Sequence, residues 1–168
     1  MTDLLLIGSA TPEMLERLEA AFTVHRLEDA ADPVSWLAEH GSKIHYVATN
    51  GHDGVKPHYI KAMPDLKLIS CYGVGYDAID TSLARAGGIM VTHTPNVLNA
   101  EVASTALMLM LACYRNLLAD DAHVRSGDWE TGGNAPLSRS ADNQVVGIVG
   151  LGRIGQAIAD KLAPFNAT

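Results

Sequence analysis

The stretch Val145-Val146-Gly147-Ile148-Val149-Gly150-Leu151-Gly152-Arg153-Ile154-Gly155 makes the strongest structural statement in this chain. Residues 145–149 are β-branched or glycine, the make-up of a buried strand. Gly150, Gly152 and Gly155 then form a G-x-G-x-x-G turn, and Ile154, Ile158 and Leu162 recur at helical spacing behind it. In such a turn the first glycine allows the tight bend and the second lets the backbone approach a pyrophosphate. The third lets helix and strand pack closely. Backbone N–H groups at the helix start then face an anion. This is the pattern of the opening β-α unit of a dinucleotide-binding domain. Thirteen residues follow Gly155, whereas the ribose-reading residue of such a domain stands roughly 20 positions on. That residue is expected to lie beyond Thr168.

Working outward from this turn, the first ninety or so residues alternate short apolar runs with helical stretches. Strands are expected at 4–7, 24–27, 46–49, 66–71 and 89–92. Thr11-Pro12-Glu13 opens a helix with an N-cap and a proline at the first helical position; a second helix is expected over 34–39. Parallel strands need crossover connections of this length, so the fold class is α/β, with a parallel sheet covered on both faces. Five units suggest the flavodoxin-like strand order, whose ligands sit at the carboxyl ends of the strands. Thr94-Pro95-Asn96 breaks the pattern. From Asn99 to about Asp121 a single long apolar helix is expected, a connector between domains. Residues 125–136 are glycine-rich, and the segment reads as a linker or an arm laid on a partner. The division is therefore 1–98, a flavodoxin-like substrate-binding domain, and 99–168, connector, arm and the start of a dinucleotide-binding domain.

Composition excludes several classes of function. Hydrophobic residues make up 48% and charged residues 18%, enough for a sizeable core and without disorder bias. Net charge is −7, with no basic cluster, so nucleic acid and anionic membrane surfaces are not expected partners. The longest apolar run, residues 102–114, is too short to span a bilayer and reads as a buried helix. Asp3 followed by Leu4-Leu5-Leu6-Ile7 lacks the basic region of a signal peptide. Cys71 and Cys113 both lie in apolar runs and are expected to be buried free thiols, in keeping with a cytoplasmic location. No Cys/His spacing suggests a metal. His52, in Asn50-Gly51-His52-Asp53-Gly54, is expected to be a solvated loop residue.

A second glycine loop, Cys71-Tyr72-Gly73-Val74-Gly75-Tyr76-Asp77-Ala78-Ile79-Asp80, follows the fourth strand. Its consecutive N–H groups suit a small carboxylate. The same residues also suit a plain chain reversal with Asp80 capping the next helix, and the local chemistry fits both readings.

Taken in order, G-V-G-Y-D-A-I-D (73–80), V-T-H-T-P-N-V-L-N-A-E-V-A (91–103) and V-V-G-I-V-G-L-G-R-I-G-Q-A-I-A (145–159) resemble the D-isomer-specific 2-hydroxyacid dehydrogenases, most of all their glyoxylate/hydroxypyruvate reductase branch. The resemblance runs the length of the chain and corresponds to the N-terminal half of a family member. It implies a flavodoxin-like parallel-sheet domain followed by the first β-α unit of a truncated Rossmann domain. It also implies NAD or NADP as cofactor, a small 2-oxo or 2-hydroxy acid as substrate, and a homodimer built with an arm from about His123 to Ser140. By the same resemblance, Val74 and Gly75 hold the substrate carboxylate. Gly150, Gly152, Arg153, Ile154 and Gly155 hold the cofactor pyrophosphate. His93 stands where the family usually has Asn, Ser104 where an acidic residue is common, and Asn166 where Gly is usual; the first two are expected to alter packing more than chemistry.

Hydride transfer to a 2-oxo acid needs a cation to polarise the carbonyl and a general acid for the developing alkoxide. The resemblance places that Arg, and a His oriented by a Glu, beyond Thr168, so no catalytic residue is assigned. The alternatives are a non-catalytic module that dimerises or binds a carboxylate, and half of a split enzyme, which the missing half supplied in trans would reactivate. The unit over 144–168 is expected to lack a parallel neighbour of its own, and so to pack on another chain or be poorly ordered. The purified, mass-verified 168-residue chain is expected to show no reduction of glyoxylate or hydroxypyruvate with NADH or NADPH; measurable turnover would contradict this.

Overall fold

Leu4, Leu5 and Leu6 are consecutive and all buried, as the central strand of a sheet with side chains packed on both faces requires. The computed structural model, which describes residues 1–168, places them in β1 (Thr2–Leu6). After it come α1 (Pro12–Ala21), β2 (Phe22–Arg26), α2 (Pro33–His40), β3 (Tyr46–Asn50), α3 (Pro57–Lys61), β4 (Leu68–Tyr72), α4 (Thr81–Ala86) and β5 (Met90–Thr92). All strand pairs are parallel and the order is β2-β1-β3-β4-β5, the flavodoxin-like arrangement.

The register makes one row across four strands: Leu5 pairs with Val47, Val47 with Ile69 and Ile69 with Val91. That row is the floor of the main core, roofed by Leu37 of α2, Tyr59 and Ile60 of α3, and Leu83 of α4. The opposite face holds a smaller cluster of Leu4, Leu6 and Ala48 under Leu15 and Leu18 of α1. Coverage of both faces was expected, and here the structure differs. A helix is roughly 10 Å across, whereas five strands about 4.8 Å apart span nearly twice that. Helix α1 therefore shields only the β2-β1-β3 side, and Tyr72 and Met90 at the far end of this face are exposed.

Caps fix where the helices begin. Thr11 Oγ1 accepts from Met14 N–H, Asp32 accepts from Val34 and Ser35 N–H, and Asp80 Oδ1 accepts from Leu83 N–H at 2.9 Å. Hydrogen bonds from the Ser35 hydroxyl and then from the Ser35 and Val34 N–H groups hold the Asp32 carboxyl below the usual carboxylate range.

The chain forms two compact units, Met1–Pro95 and Asn96–Thr168. The second contains α5 (Asn99–Tyr114), α6 (Leu117–Arg125), α7 (Asp128–Gly132) and α8 (Arg153–Leu162). The single helix expected from 99 to about 121 is broken. Asn116 takes φ 51°, left-handed, and α5 and α6 meet at 58°. Asparagine is among the few residues that tolerate this region. Helix α5 buries only Ala103, with Val102, Met108 and Leu109 exposed, so the expected buried helix is instead covered along one side, by α8. Cys113 on α5 is consequently exposed, against expectation, while Cys71 is buried. Within the glycine-rich segment, Asp128–Gly132 winds into the short α7. No single helix is long and apolar enough to cross a membrane.

Residues 145–149 do not form a strand. Val145 and Val149 point into solvent while Val146 and Ile148 are half-buried, the alternation of an extended segment lacking a ladder. One rung exists: Thr168 donates to the Gln144 carbonyl at 3.0 Å and accepts from Val146 N–H at 2.9 Å, the pair of bonds one residue of a parallel neighbour makes. The expectation of no parallel neighbour is corrected to this extent.

Leu5 is fully buried in the row. Leu5→Ala is expected to destabilise the first unit by about 2–5 kcal/mol, whereas Val34→Ala, at an exposed site of the same unit, changes stability by less than about 0.5 kcal/mol. Urea unfolding of both variants checks this.

Candidate active-site elements

Every strand of the sheet points the same way, so the segments after β3, β4 and β5 gather at one edge. After β3, Asn50 builds a rigid turn. Its Oδ1 accepts from His52 N–H at 2.9 Å and Asp53 N–H at 2.8 Å, and its Nδ2 donates to Asp53 Oδ2 at 2.6 Å. Buried Thr49 donates its hydroxyl to the Gly54 carbonyl at 2.8 Å. His52 stands exposed on this turn.

The loop after β4 lies directly against that turn. A Cβ on Gly51 would sit 2.5 Å from the Gly75 carbonyl oxygen, so only glycine permits the approach. Val55 donates to the Ala78 carbonyl at 3.1 Å, which clamps the two loops further along.

The loop's own backbone is polarised. Thr94 N–H donates to the Gly73 carbonyl at 2.9 Å, His93 Nδ1 to the Val74 carbonyl at 2.9 Å and the Cys71 thiol to the Gly75 carbonyl at 3.5 Å. Three successive carbonyls are thus engaged. The N–H groups of Val74, Gly75 and Tyr76 have no acceptor in the protein. Val74 is half-buried and Gly75 exposed. Neighbouring N–H dipoles left free in this way form a concave site for an anion. Asp80 also caps α4, so the loop reverses the chain and at the same time leaves these donors free.

Cys71, His93 and Thr94 fix this loop, and sequence reasoning did not single them out for it. The His93–Val74 bond joins residues 19 apart across two strand ends, for which no local pattern exists. Burial pushes the Cys71 thiol up.

A histidine–carboxylate pair also exists, His25 Nε2 to Asp3 Oδ1 at 2.6 Å. The hydrogen bond from His25 holds the Asp3 carboxyl below its ordinary range. These residues belong to β2 and β1, and β2 is the edge strand opposite to the β4–β5 side. His25 packs on the Trp36 ring at 5.4 Å, a structural setting.

In the second unit, the glycine turn has the conformation its sequence calls for. Gly150 has φ 92°, in the left-handed region. A Cβ on Gly155 would run into the Gly150 carbonyl, so this glycine seats α8 on the turn. Gly152 is the N-cap and has open space where a Cβ would be. Arg153 and Ile154 begin α8, and the N–H groups of Arg153, Ile154 and Gly155 have no acceptor in the protein. Arg153 is exposed and makes no ion pair.

The chain thus carries a parallel sheet with a donor-rich loop at its carboxyl edge and, in its second unit, a glycine turn at the start of a helix. Residues 4–166 match the model of the D-isomer specific 2-hydroxyacid dehydrogenase catalytic domain. The chain belongs to that family of oxidoreductases. It is 40% identical to 2-ketogluconate reductase of Gluconobacter oxydans over 98% of this chain and 51% of the relative. The solved 2-hydroxyacid dehydrogenase of Ketogulonicigenium vulgare Y25 superimposes with a TM-score of 0.93 at 43% identity, over 99% of this chain and 52% of that one. An NADPH-dependent glyoxylate/hydroxypyruvate reductase of Sinorhizobium meliloti, solved with NADP and malonate, gives 0.84 at 38% identity over 99% of this chain and 51% of that one. The chain spans about half the length of the curated relatives it matches.

The two thiols should separate in reactivity, since the thiolate attacks and only Cys113 is exposed. Ellman's reagent is expected to modify one thiol rapidly in the native protein, with Cys113→Ser abolishing the fast phase; two equally fast thiols would contradict the burial of Cys71.

Proposed function

We propose that this chain supplies the carboxylate-binding loop and the first dinucleotide turn of an NAD(P)-dependent reductase that converts a small 2-oxo acid, such as glyoxylate or hydroxypyruvate, into the corresponding 2-hydroxy acid. The observation that carries this reading is the polarised loop. With the carbonyls of Gly73, Val74 and Gly75 engaged, the free N–H groups of Val74 and Gly75 are the donors left for a carboxylate. Each charge-assisted bond of this kind is stronger than a neutral one. The 2-ketogluconate and glyoxylate reductases among the relatives share a small 2-oxo acid as substrate by name.

The glycine turn fits a dinucleotide. Open space over Gly152 and the unspent N–H groups of Arg153, Ile154 and Gly155 are what a pyrophosphate at a helix start requires. Gly150, Gly152, Arg153, Ile154 and Gly155 would hold it. When bound, the nicotinamide supplies the hydride. The residues of this chain bind and orient: the Val74–Gly75 amides fix the acid's carboxylate, which leaves its 2-oxo carbon as the reacting centre. Polarisation of the carbonyl and delivery of the proton fall to an Arg and a Glu-oriented His that these 168 residues do not include.

Exposed Met108, Leu109, Leu117 and Leu118 on α5 and α6 support a homodimer, since large apolar side chains left in solvent are the material of contact sites. The free cysteines Cys71 and Cys113 support a cytoplasmic setting.

Titration of the 15N-labelled chain is the test. Glyoxylate is expected to move the amide signals of Val74, Gly75 and Tyr76, and NADPH those of Gly152–Gly155. Absence of any loop response to millimolar glyoxylate would overturn the substrate assignment.

A further inference from the structure

Among the groups around the β4 loop, one side chain carries more of its shape than its position suggests. His93 follows β5, is half-buried, and directs Nδ1 at the Val74 carbonyl at 2.9 Å. Its ring meets the Tyr76 ring edge-on, with centroids 4.7 Å apart. The next residue, Thr94, donates its N–H to the Gly73 carbonyl at 2.9 Å. The imidazole thus touches the loop on both sides of Gly75, through a hydrogen bond at 74 and a ring contact at 76.

We propose that His93 is the positioning residue of the carboxylate loop: by holding the Val74 carbonyl and bracing Tyr76, it keeps the intervening N–H groups turned outward as donors. The proposal rests on the reading of Val74 and Gly75 as the carboxylate site. A peptide unit is planar, so fixing the Val74 carbonyl also fixes the Gly75 N–H of the same unit, which points the opposite way. The Cys71 thiol holds the Gly75 carbonyl on the far side of this residue, but a glycine populates φ of either sign, so the Val74–Gly75 unit depends on the His93 bond for its orientation. Without the His93 bond the Val74–Gly75 peptide can flip, and the site then presents an acceptor to the incoming carboxylate instead of a donor. His93 does not touch the substrate in this arrangement. It acts through the peptide it restrains.

Two substitutions separate the parts of this role. His93→Phe keeps a ring against Tyr76 but has no donor; His93→Asn loses the ring but retains an N–H within reach of a neighbouring carbonyl. In the 168-residue protein, His93→Phe is expected to weaken glyoxylate binding about five- to tenfold, the scale of one hydrogen bond, and to shift or broaden the ligand-free amide signals of Gly75 and Tyr76. His93→Asn is expected to restore the Gly75 signal and most of the affinity. A 15N spectrum of the wild-type imidazole should show Nδ1 protonated. Equal glyoxylate affinity in wild type and His93→Phe, or Gly75 signals unchanged by His93→Phe, overturns the proposal. Failure of the wild type to bind glyoxylate sinks the substrate reading instead, and the ligand-free Gly75 signals then decide on His93 alone.

Discussion

Parallel strands cannot be joined by tight turns; every connection must return from one end of the sheet to the other. That constraint organises the first unit. It spaces the apolar runs with helices and fixes the row Leu5, Val47, Ile69 and Val91 in register. It also delivers the segments after β3, β4 and β5 to a common edge. The polarised loop at Gly73–Tyr76 depends on this convergence. Its carbonyls are held by β4's own Cys71 and by His93 and Thr94 from the end of β5. Loops scattered over two edges of an antiparallel sheet would lack those neighbours.

The net charge of −7 gives the chain a surface field that repels anions, so a site for one gains nothing from that field. Both candidate sites use backbone N–H groups instead of lysine or arginine clusters. The donors are dipoles fixed by geometry, and they act over a few ångströms, where the long-range potential matters little. At Val74–Gly75 the geometry comes from tertiary hydrogen bonds; at Gly152–Gly155 it comes from the start of α8 and the contact of Gly155 with Gly150. This explains why glycine recurs at both places, since a Cβ at Gly51 or Gly155 would push apart the backbones that create the site.

How much of this could be read from residues alone depended on the range of the interaction. Alternating apolar runs, N-caps at Thr11 and Asp80, and the proline after Thr11 are local, and they pointed to the α/β class and the strand order; the cap at Asp32 is equally local but was not read. The break at Asn116 turns on one residue's backbone choice just past the apolar run 102–114, with Leu117 and Leu118 resuming the apolar pattern, so a continuous helix was the reasonable expectation. Residues 145–149 have the composition of a strand, but a strand exists only with a partner, and one rung at Thr168 does not make a ladder. Cys113 sits in an apolar run like Cys71, yet burial is settled by what covers the run, which composition does not specify. His93 shows the same limit at the site: its bond partner is 19 residues away.

The sheet's two borders also determine how the protein behaves in a crowded solution. An edge strand offers unpaired N–H and C=O groups to any neighbour, and long flat edges recruit other chains into mixed sheets. β5 is only three residues long, Met90–Thr92, and is followed within three residues by Pro95. β2, the other border, ends on Arg26 and carries His25. One border is too short to serve as a template and the other ends on a cationic side chain, so both edges are poor partners for edge-to-edge polymerisation.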